Sequence, residues 1–141
     1  MHLLETYIQY PNTDVSLLGG AVGTLLLFAN VAAANADFAR LVSACDSAGS
    51  ARGFQVLMNT GGLEPYISFM GAGVNGAGKT PALVAGTPAM RGWTWNSSTL
   101  SIYVDGFWFD KKTLSTSPIA RQSGDPFVLG TSYSGSSGFA G

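Results

Sequence analysis

Histidine, cysteine and glutamate are nearly absent from this sequence, and each scarcity excludes a class of chemistry. The single histidine, His2, stands next to the N-terminus, so a Ser-His or Cys-His catalytic pair has no base. Cys45 is the only cysteine, which excludes an intrachain disulfide and a cysteine metal site. Glu5 and Glu64 are the only glutamates and lie far apart, whereas a glycosidase needs two carboxyl groups across the scissile bond. We therefore predict that the protein is not an enzyme.

Charged residues are also scarce. They make up 11% of the 141 residues, less than half the usual share, and the net charge is −1. The seven Lys and Arg are scattered, with only Lys111 and Lys112 adjacent, so we expect no nucleic-acid partner. A surface with so few charges is poorly protected against association. We therefore expect contacts with other protein subunits, in a homo-oligomer or a larger assembly.

Glycine, in contrast, is abundant. The chain has 19 glycines, and clusters of Ser and Thr recur between apolar runs, which is typical of an all-β protein with many turns. The length is sufficient for one buried core, so we predict a single domain over residues 1–141. No segment has the pattern of a long regular helix.

The clearest local pattern lies between Ser98 and Phe109. Aliphatic residues alternate with Ser101 and Tyr103, as in a strand with one apolar face. Asp105-Gly106 follows, and this pair favours a type I′ turn because both central positions of that turn need positive φ. Three aromatic residues, Phe107 to Phe109, then return the chain. The segment is predicted to be a β-hairpin.

Other strands are predicted from apolar runs. We expect strands at Thr24 to Ala32, with both faces buried, at Phe54 to Met58, at Tyr66 to Met70 and at Phe127 to Leu129. The second and third form a hairpin around the turn at Asn59 to Gly62.

Three further segments are less regular. Asp37 to Ala44 has the pattern of a short helical turn or a strand, Met70 to Gly78 that of a glycine-rich loop, and Pro81 to Ala85 that of a short strand.

The apolar run from Leu17 to Ala34 is long enough to suggest a membrane helix or a secretory leader. Asparagines and three glycines interrupt it, and no Lys or Arg flanks its N-terminal side. We therefore expect this run to belong to the fold, with no membrane span.

The segment Gly73 to Thr80 matches the phosphate-binding P-loop pattern. That loop binds phosphate only when a helix starts at its Lys-Thr pair. Here Pro81 follows directly, and Gly86 and Pro88 stop any helix within about two turns. We predict a glycine-rich β-loop and no nucleotide or other cofactor site.

Aromatic residues provide the remaining candidate binding site. Trp93 and Trp95 are two residues apart and would share one face of a strand, where exposed rings stack on a sugar and buried rings form core. Tyr133 and Trp108 have the same two interpretations.

Several segments together resemble one fold family. Thr99-Leu-Ser-Ile-Tyr-Val-Asp-Gly106 is similar to the L-x-L-Y-V-D-G hairpin of laminin-G-like and pentraxin-like members of the concanavalin A-like superfamily. Further similarities, in the same order as in the family, are at Tyr7 to Asn12, Thr24 to Val31, Arg52 to Met58, Arg91 to Trp95 and Pro126 to Gly130. The resemblance implies a two-sheet antiparallel β-sandwich, a jelly roll.

The resemblance has two further consequences. Relatives usually continue after a Gly-Phe-x-Gly segment, like the one ending at Gly141, into a last strand, so we expect the N-terminal strand or neighbouring subunits to cover that gap. Many relatives hold Ca²⁺ with loop oxygens, for which Asp46, Asp110 and Asp125 are candidates, although no two are spaced as a ligand set. The Glu-x-Asp-x-x-Glu motif of the glucanase relatives is missing.

Because this fold hosts lectins, hydrolases and structural modules, function must come from the site. We expect a non-enzymatic structural or adhesive module. It would be a repeating subunit of a larger assembly such as a phage or virus particle, as a decoration or fibre protein, and so virion or extracellular. The alternative is a carbohydrate-binding, lectin-like domain that works alone.

Overall fold

A computed structural model describes residues 8–10, 21–31, 38–46, 51–59, 61–71, 74–122 and 124–130, and these residues form ten strands and no helix. The strands are β1 (Ile8–Tyr10), β2 (Gly23–Ala29), β3 (Arg40–Cys45), β4 (Gly53–Met58), β5 (Pro65–Phe69), β6 (Val74–Lys79), β7 (Ala89–Trp95), β8 (Thr99–Val104), β9 (Phe107–Thr113) and β10 (Phe127–Leu129). All pairings are antiparallel, in a six-stranded sheet ordered β1-β10-β3-β4-β5-β6 and a four-stranded sheet ordered β2-β7-β8-β9. The predicted all-β, two-sheet sandwich is confirmed.

The core lies between the two sheets and consists of the side chains that alternate inward along their strands. The largest fully buried side chains are Trp93, Phe54, Phe69, Met58, Ile67, Leu100 and Ile102. The Trp95 ring contacts two phenyl rings of the opposite sheet, with centroid distances of 5.3 Å to Phe54 and 5.4 Å to Phe69, both in tilted arrangements. Aromatic contacts therefore join β7 to β4 and β5.

The hairpin of β8 and β9 forms as the sequence predicts. Asp105 and Gly106 have φ values of 49° and 88°, both in the left-handed region that a type I′ turn requires. The Asp105 carboxylate accepts hydrogen bonds from the Met90 amide at 2.8 Å and the Arg91 guanidinium at 3.3 Å. The turn is thereby attached to β7, the strand that pairs with β8 on the side away from β9.

The prediction that both faces of the Thr24 to Ala32 strand are buried is wrong. β2 is shorter, and only its inward residues, such as Leu25 and Leu27, pack against the core. Leu26 and Phe28 face outward and are 56% and 77% exposed. Apolar residues follow one another without interruption in the sequence of β2 because both faces of this strand are apolar, although only one face is buried.

The predicted glycine-rich loop from Met70 to Gly78 is also wrong, because most of it is strand β6. At Gly78 the chain passes close to the core, and a Cβ atom there would overlap the Ile67 side chain and lie 2.9 Å from Leu100. The Gly78 carbonyl oxygen accepts a hydrogen bond from the Trp93 indole at 2.8 Å. Glycine at position 78 therefore allows a close approach of β6 to the core, and it does not indicate a loop.

The remaining segments divide between confirmation and correction. The segment left open as helical turn or strand is a strand from Arg40 to Ala44, because these residues belong to β3; Asp37 lies outside the described residues. The predicted strands at 54–58, 66–70 and 127–129 correspond to β4, β5 and β10 within a residue or two. The predicted strand from Pro81 to Ala85 is wrong: this segment is irregular, held by a hydrogen bond from the Leu83 amide to the Leu63 carbonyl and by the buried Leu83 side chain. In the described part of the chain, no helix is long and apolar enough to span a membrane.

The chain crosses from the four-stranded to the six-stranded sheet through an irregular connection between β9 and β10. The Gly53 amide anchors this crossing by donating a hydrogen bond to the Ile119 carbonyl at 2.9 Å. Gly53 has a φ of 86°, and a Cβ atom there would overlap the carbonyl oxygen of Ala44 on the paired strand. The position therefore requires glycine for two separate reasons.

Replacing Gly53 by alanine tests this requirement. Gly53→Ala should lower the free energy of unfolding by about 2–4 kcal/mol, since the strain of a positive φ adds to an overlap with backbone that no rotamer relieves. Gly86→Ala is the matched control, because Gly86 also has positive φ but its Cβ would meet nothing within 4 Å. It should cost only about 1 kcal/mol. Equal losses for both variants in urea unfolding would contradict the proposed overlap.

Candidate functional site

The outer face of the four-stranded sheet carries side chains that the register aligns in rows across the strands. One row contains Leu26, Gly92, Tyr103 and Trp108, and beside it lies the pair of Phe28 and Met90. We call these six residues the apolar half of the face. The next row contains Thr24, Thr94, Ser101 and Lys111, which we call the polar half. The face is thus divided into an apolar end near the Asp105-Gly106 turn and a polar end away from it.

The apolar half is continuous and open to solvent. Trp108 is 64% exposed, in addition to the exposed Leu26 and Phe28. Gly92 leaves a gap in its row because it has no side chain. A Cβ atom there would lie 2.9 Å from the Leu26 side chain and 3.3 Å from Cβ of Tyr103. These two neighbouring side chains therefore lie close together above the glycine. An exposed apolar patch of this kind marks an interaction surface.

A groove at the open edge between the two sheets is the second candidate site. It has a volume of about 620 Å³. One wall comes from the residue before β5, the last residue of β6 and the two residues after it, and the other wall comes from β9. The lining residues are Glu64, Lys79, Thr80, Pro81, Phe109, Asp110, Lys112 and Thr113. It therefore combines one aromatic ring with carboxylates, amines and hydroxyl groups.

The charges in the groove are partly paired. The Asp110 carboxylate lies 2.7 Å from the Lys112 ammonium, whose hydrogen bond, with that of the Lys111 amide, lowers the pKa of Asp110. The other groove carboxylate, Glu64, accepts a hydrogen bond from the side-chain amide of Asn59 at 2.8 Å. A general acid needs a raised pKa, so the pKa of Asp110 is shifted in the wrong direction for the general acid of glycoside hydrolysis.

The tryptophans predicted as possible sugar platforms do not lie at either site. Trp93 is fully buried and Trp95 is 5% exposed, so both rings are core, and neither presents a face to a ligand in this structure. Their position two residues apart does place them on one face of β7, as the spacing predicts, but that face is the inner one. Tyr133 lies outside the described residues. Trp108, for which the same two interpretations were open, is the exposed tryptophan.

The segment that matches the P-loop pattern contains a strand where a phosphate site needs a loop followed by a helix. Lys79 is the last residue of β6 and lines the groove. The Thr80 hydroxyl donates hydrogen bonds to the carbonyl oxygens of Pro65, at 3.0 Å, and Pro81, at 3.2 Å. Residues 80–84 are irregular, so no helix N-terminus follows the Lys-Thr pair.

Each of the three aspartates considered as calcium ligands is bound by groups of the protein itself. Asp46 accepts hydrogen bonds from the amides of Ala51 and Arg52, whereas Asp110 pairs with Lys112. Asp125 pairs with Arg52. Among the residues that the structure describes, no three His, Cys, Asp or Glu side chains are grouped to hold a metal ion.

The pair of Arg52 and Asp125 attaches the crossing connection to the start of β4. Two guanidinium nitrogens donate to the two carboxylate oxygens at 2.7 and 2.6 Å, and the Gln122 amide donates a further bond at 2.7 Å. Burial acts to raise the pKa of Asp125, but the hydrogen bonds from Arg52 and Gln122 outweigh it, so the pKa lies below its usual value. The carboxylate is therefore held in its charged form.

The lone cysteine is buried next to this region. Burial raises the pKa of the Cys45 thiol. A hydrogen bond from the side-chain amide of Gln55 to the sulfur, at 3.2 Å, acts to lower this pKa but does not outweigh burial. A buried thiol with a raised pKa is a poor nucleophile. Cys45 is therefore a core residue without the features of a reactive one.

A family model described as the concanavalin A-like lectin/glucanases superfamily, of the laminin G type, matches residues 5–141. No curated protein matches the chain.

The ion pair predicts how stability depends on pH. Because the folded-state pKa of Asp125 lies below its unfolded value of about 3.9, the pair stabilises the fold above that pH and is lost as the pH falls through the folded pKa. Asp125→Asn should lower the melting temperature by several degrees at pH 7. The gap from the unsubstituted protein should begin to narrow near pH 4 and close as the pH falls through the folded pKa.

The control for this prediction is Asp110→Asn, which removes an exposed pair of the same charges. Exposed pairs contribute little, so its melting temperature should stay close to that of the unsubstituted protein at pH 7. A melting curve of Asp125→Asn that is displaced equally at pH 7 and pH 3 would show that the carboxylate charge has no such role.

Proposed function

The chain belongs to the concanavalin A-like lectin/glucanase superfamily, and from this membership we propose that it works as a non-enzymatic structural or adhesive module. In this proposal it is a repeating subunit of a larger assembly, such as the decoration or fibre protein of a phage or other virus particle. Its place is then the virion or the extracellular space, and its partners are other protein subunits.

The exposed apolar half of the four-stranded sheet is the observation that carries this proposal. Three large side chains in it, those of Leu26, Phe28 and Trp108, are each more than half exposed. A partner that fully buries such a side chain would gain roughly 1.5–3 kcal/mol of binding free energy for each one. Only 15 of the 141 residues are charged, which offers little electrostatic protection against association.

The chemistry of the described residues supports a non-enzymatic role. Laminin G-like domains are generally non-enzymatic. In the groove, the Asp110 carboxyl has a lowered pKa and pairs with Lys112, and the buried Cys45 thiol has a raised pKa. None of these features activates an acid or a nucleophile. We propose that the protein needs no cofactor.

Association of the purified chain tests the proposal. We expect the molar mass from light scattering to rise with protein concentration, towards oligomers or a defined particle visible by electron microscopy. Because an apolar contact drives it, the association should persist at high salt. A chain that stays monomeric up to about 1 mM, the range of the weakest specific contacts, would exclude the assembly role.

The groove supports a second candidate function, a carbohydrate-binding domain that works alone. Phe109 supplies a half-exposed ring for stacking on a sugar, and Lys79, Asp110 and Thr113 supply groups that hydrogen-bond to sugar hydroxyls. Trp93 and Trp95 do not belong to this proposed sugar site, because their rings are buried.

A glycan array distinguishes the two candidate functions. If the groove binds sugar, Phe109→Ala should weaken binding of the best glycan about tenfold, the equivalent of one stacked ring. Phe107→Ala is the matched control, because Phe107 is a neighbouring exposed phenylalanine that does not line the groove. Absence of any glycan that binds saturably, or equal losses in both variants, would contradict this function.

A further inference from the structure

We propose that the apolar half of the outer face is a two-fold contact with a second copy of this chain, in which the four-stranded sheets of two copies pack face to face. This inference rests on the proposed function and makes it specific, because it names both the surface and the occupant. No described element of the chain covers this face.

The area of the apolar half fits such a contact. Large side chains contribute ~150–250 Å² each when fully exposed, so the exposures of Leu26, Phe28 and Trp108 correspond to roughly 300–500 Å² of apolar surface. The partly exposed Met90 and Tyr103 add to it. A standard interface buries about 800 Å² per partner, and homodimer interfaces are about 65% apolar, which requires about 500 Å² of apolar surface. The polar half would then supply most of the hydrated rim.

The charge distribution also favours a second copy. In a two-fold contact each residue near the axis meets the same residue of the partner, so any charge there would face a like charge. The apolar half has no charged side chain, and the one charge on the rows of the outer face, Lys111, lies in the polar half. Two copies joined through the apolar half therefore bring no like charges together at the axis.

Other occupants fit this face less well. A sugar requires several polar groups for its hydroxyls, whereas the apolar half offers only the Tyr103 hydroxyl and the Trp108 indole N–H. An anionic membrane surface requires a basic cluster, and the net charge of the chain is −1. A nucleic acid requires basic residues for its phosphates, and the apolar half has none.

The inner face of the same sheet cannot provide the contact. Its residues Trp93, Leu100 and Ile102 are already buried against the six-stranded sheet. The outer edge strand β9 is also a poor alternative, because a bulge and the charged run Asp110 to Lys112 protect it against pairing with another strand. Of these three surfaces of the smaller sheet, the apolar half is therefore the best suited to association of two sandwiches.

The test measures the dimerisation constant of the full chain by analytical ultracentrifugation. Phe28→Glu places a charge at the most exposed large side chain of the apolar half and should weaken dimerisation at least about a hundredfold. Thr24→Glu, on the same strand and face but in the polar half, is the matched control for the added charge. Val84→Glu, in an exposed loop, is the control for removal of an exposed apolar side chain. Both controls should change the constant less than about threefold.

Fluorescence of the unsubstituted protein provides a second readout that does not depend on a variant. Trp108 is exposed and the other two tryptophans are buried, so acrylamide quenching reports mainly on Trp108. Quenching should fall as rising concentration drives dimerisation, because the partner covers that ring. Quenching that stays constant while the molar mass doubles would overturn the inference.

The outcomes separate this inference from the proposed function. If the unsubstituted chain associates but folded Phe28→Glu associates equally well, the surface is wrong and the assembly role stands. If both controls weaken association as much as Phe28→Glu, the inference is likewise wrong. A chain that is monomeric throughout overturns the proposed assembly role together with this surface.

Discussion

The hydrogen bond between the Trp93 indole and the Gly78 carbonyl oxygen joins the two sheets and fixes how closely they pack. The indole nitrogen is fully buried, and leaving a buried donor unpaired costs about 1–3 kcal/mol. The bond forms only because β6 approaches the core at a residue that lacks a side chain, since a Cβ at Gly78 would overlap the Ile67 side chain. The position of the ring, the glycine and the spacing of the sheets are therefore set together.

This constraint also determines the outer surface of the smaller sheet. With Trp93 directed inward, the two-residue period of a strand directs Gly92 and Thr94 outward, and the register then carries that sidedness to the neighbouring strands. A shift of one residue would expose Trp93 and bury Thr94. The division of the outer face into apolar and polar halves is thus a consequence of how one tryptophan packs inside.

Sequence periodicity predicts strands well only where the two faces differ in polarity. β8 meets this condition: its inner residues are aliphatic, its outer ones include Ser101 and Tyr103, and Asp105-Gly106 defines the turn that follows it. β2 does not, because Leu26 and Phe28 are as apolar as Leu25 and Leu27, so the pattern is the same whether one face or both are buried. The glycines of β6 resemble a loop because the reason for Gly78 lies in residues distant in sequence.

The candidate site was less predictable than the fold for the same physical reason. A spacing of two places Trp93 and Trp95 on one face but does not say which face, since that depends on the partner sheet. The groove depends on Glu64 and Asp110, which lie 46 positions apart and meet only when two sheets stack. Trp108 is exposed because it lies on the outer face of the four-stranded sheet, and no local pattern shows whether that face meets solvent or a partner.

The distribution of charge links the interior to the outer face. Four charged side chains, Asp46, Arg91, Arg121 and Asp125, are buried, and Asp125 holds the crossing connection through its pair with Arg52. The chain has only fifteen charged residues, so those used inside leave fewer for the surface. Charges that remain on the smaller sheet gather on β9, where they line the groove and protect an edge. The strands on the opposite side of that sheet therefore keep an uncharged outer surface, and the hydrophobic effect is the force left to act on it.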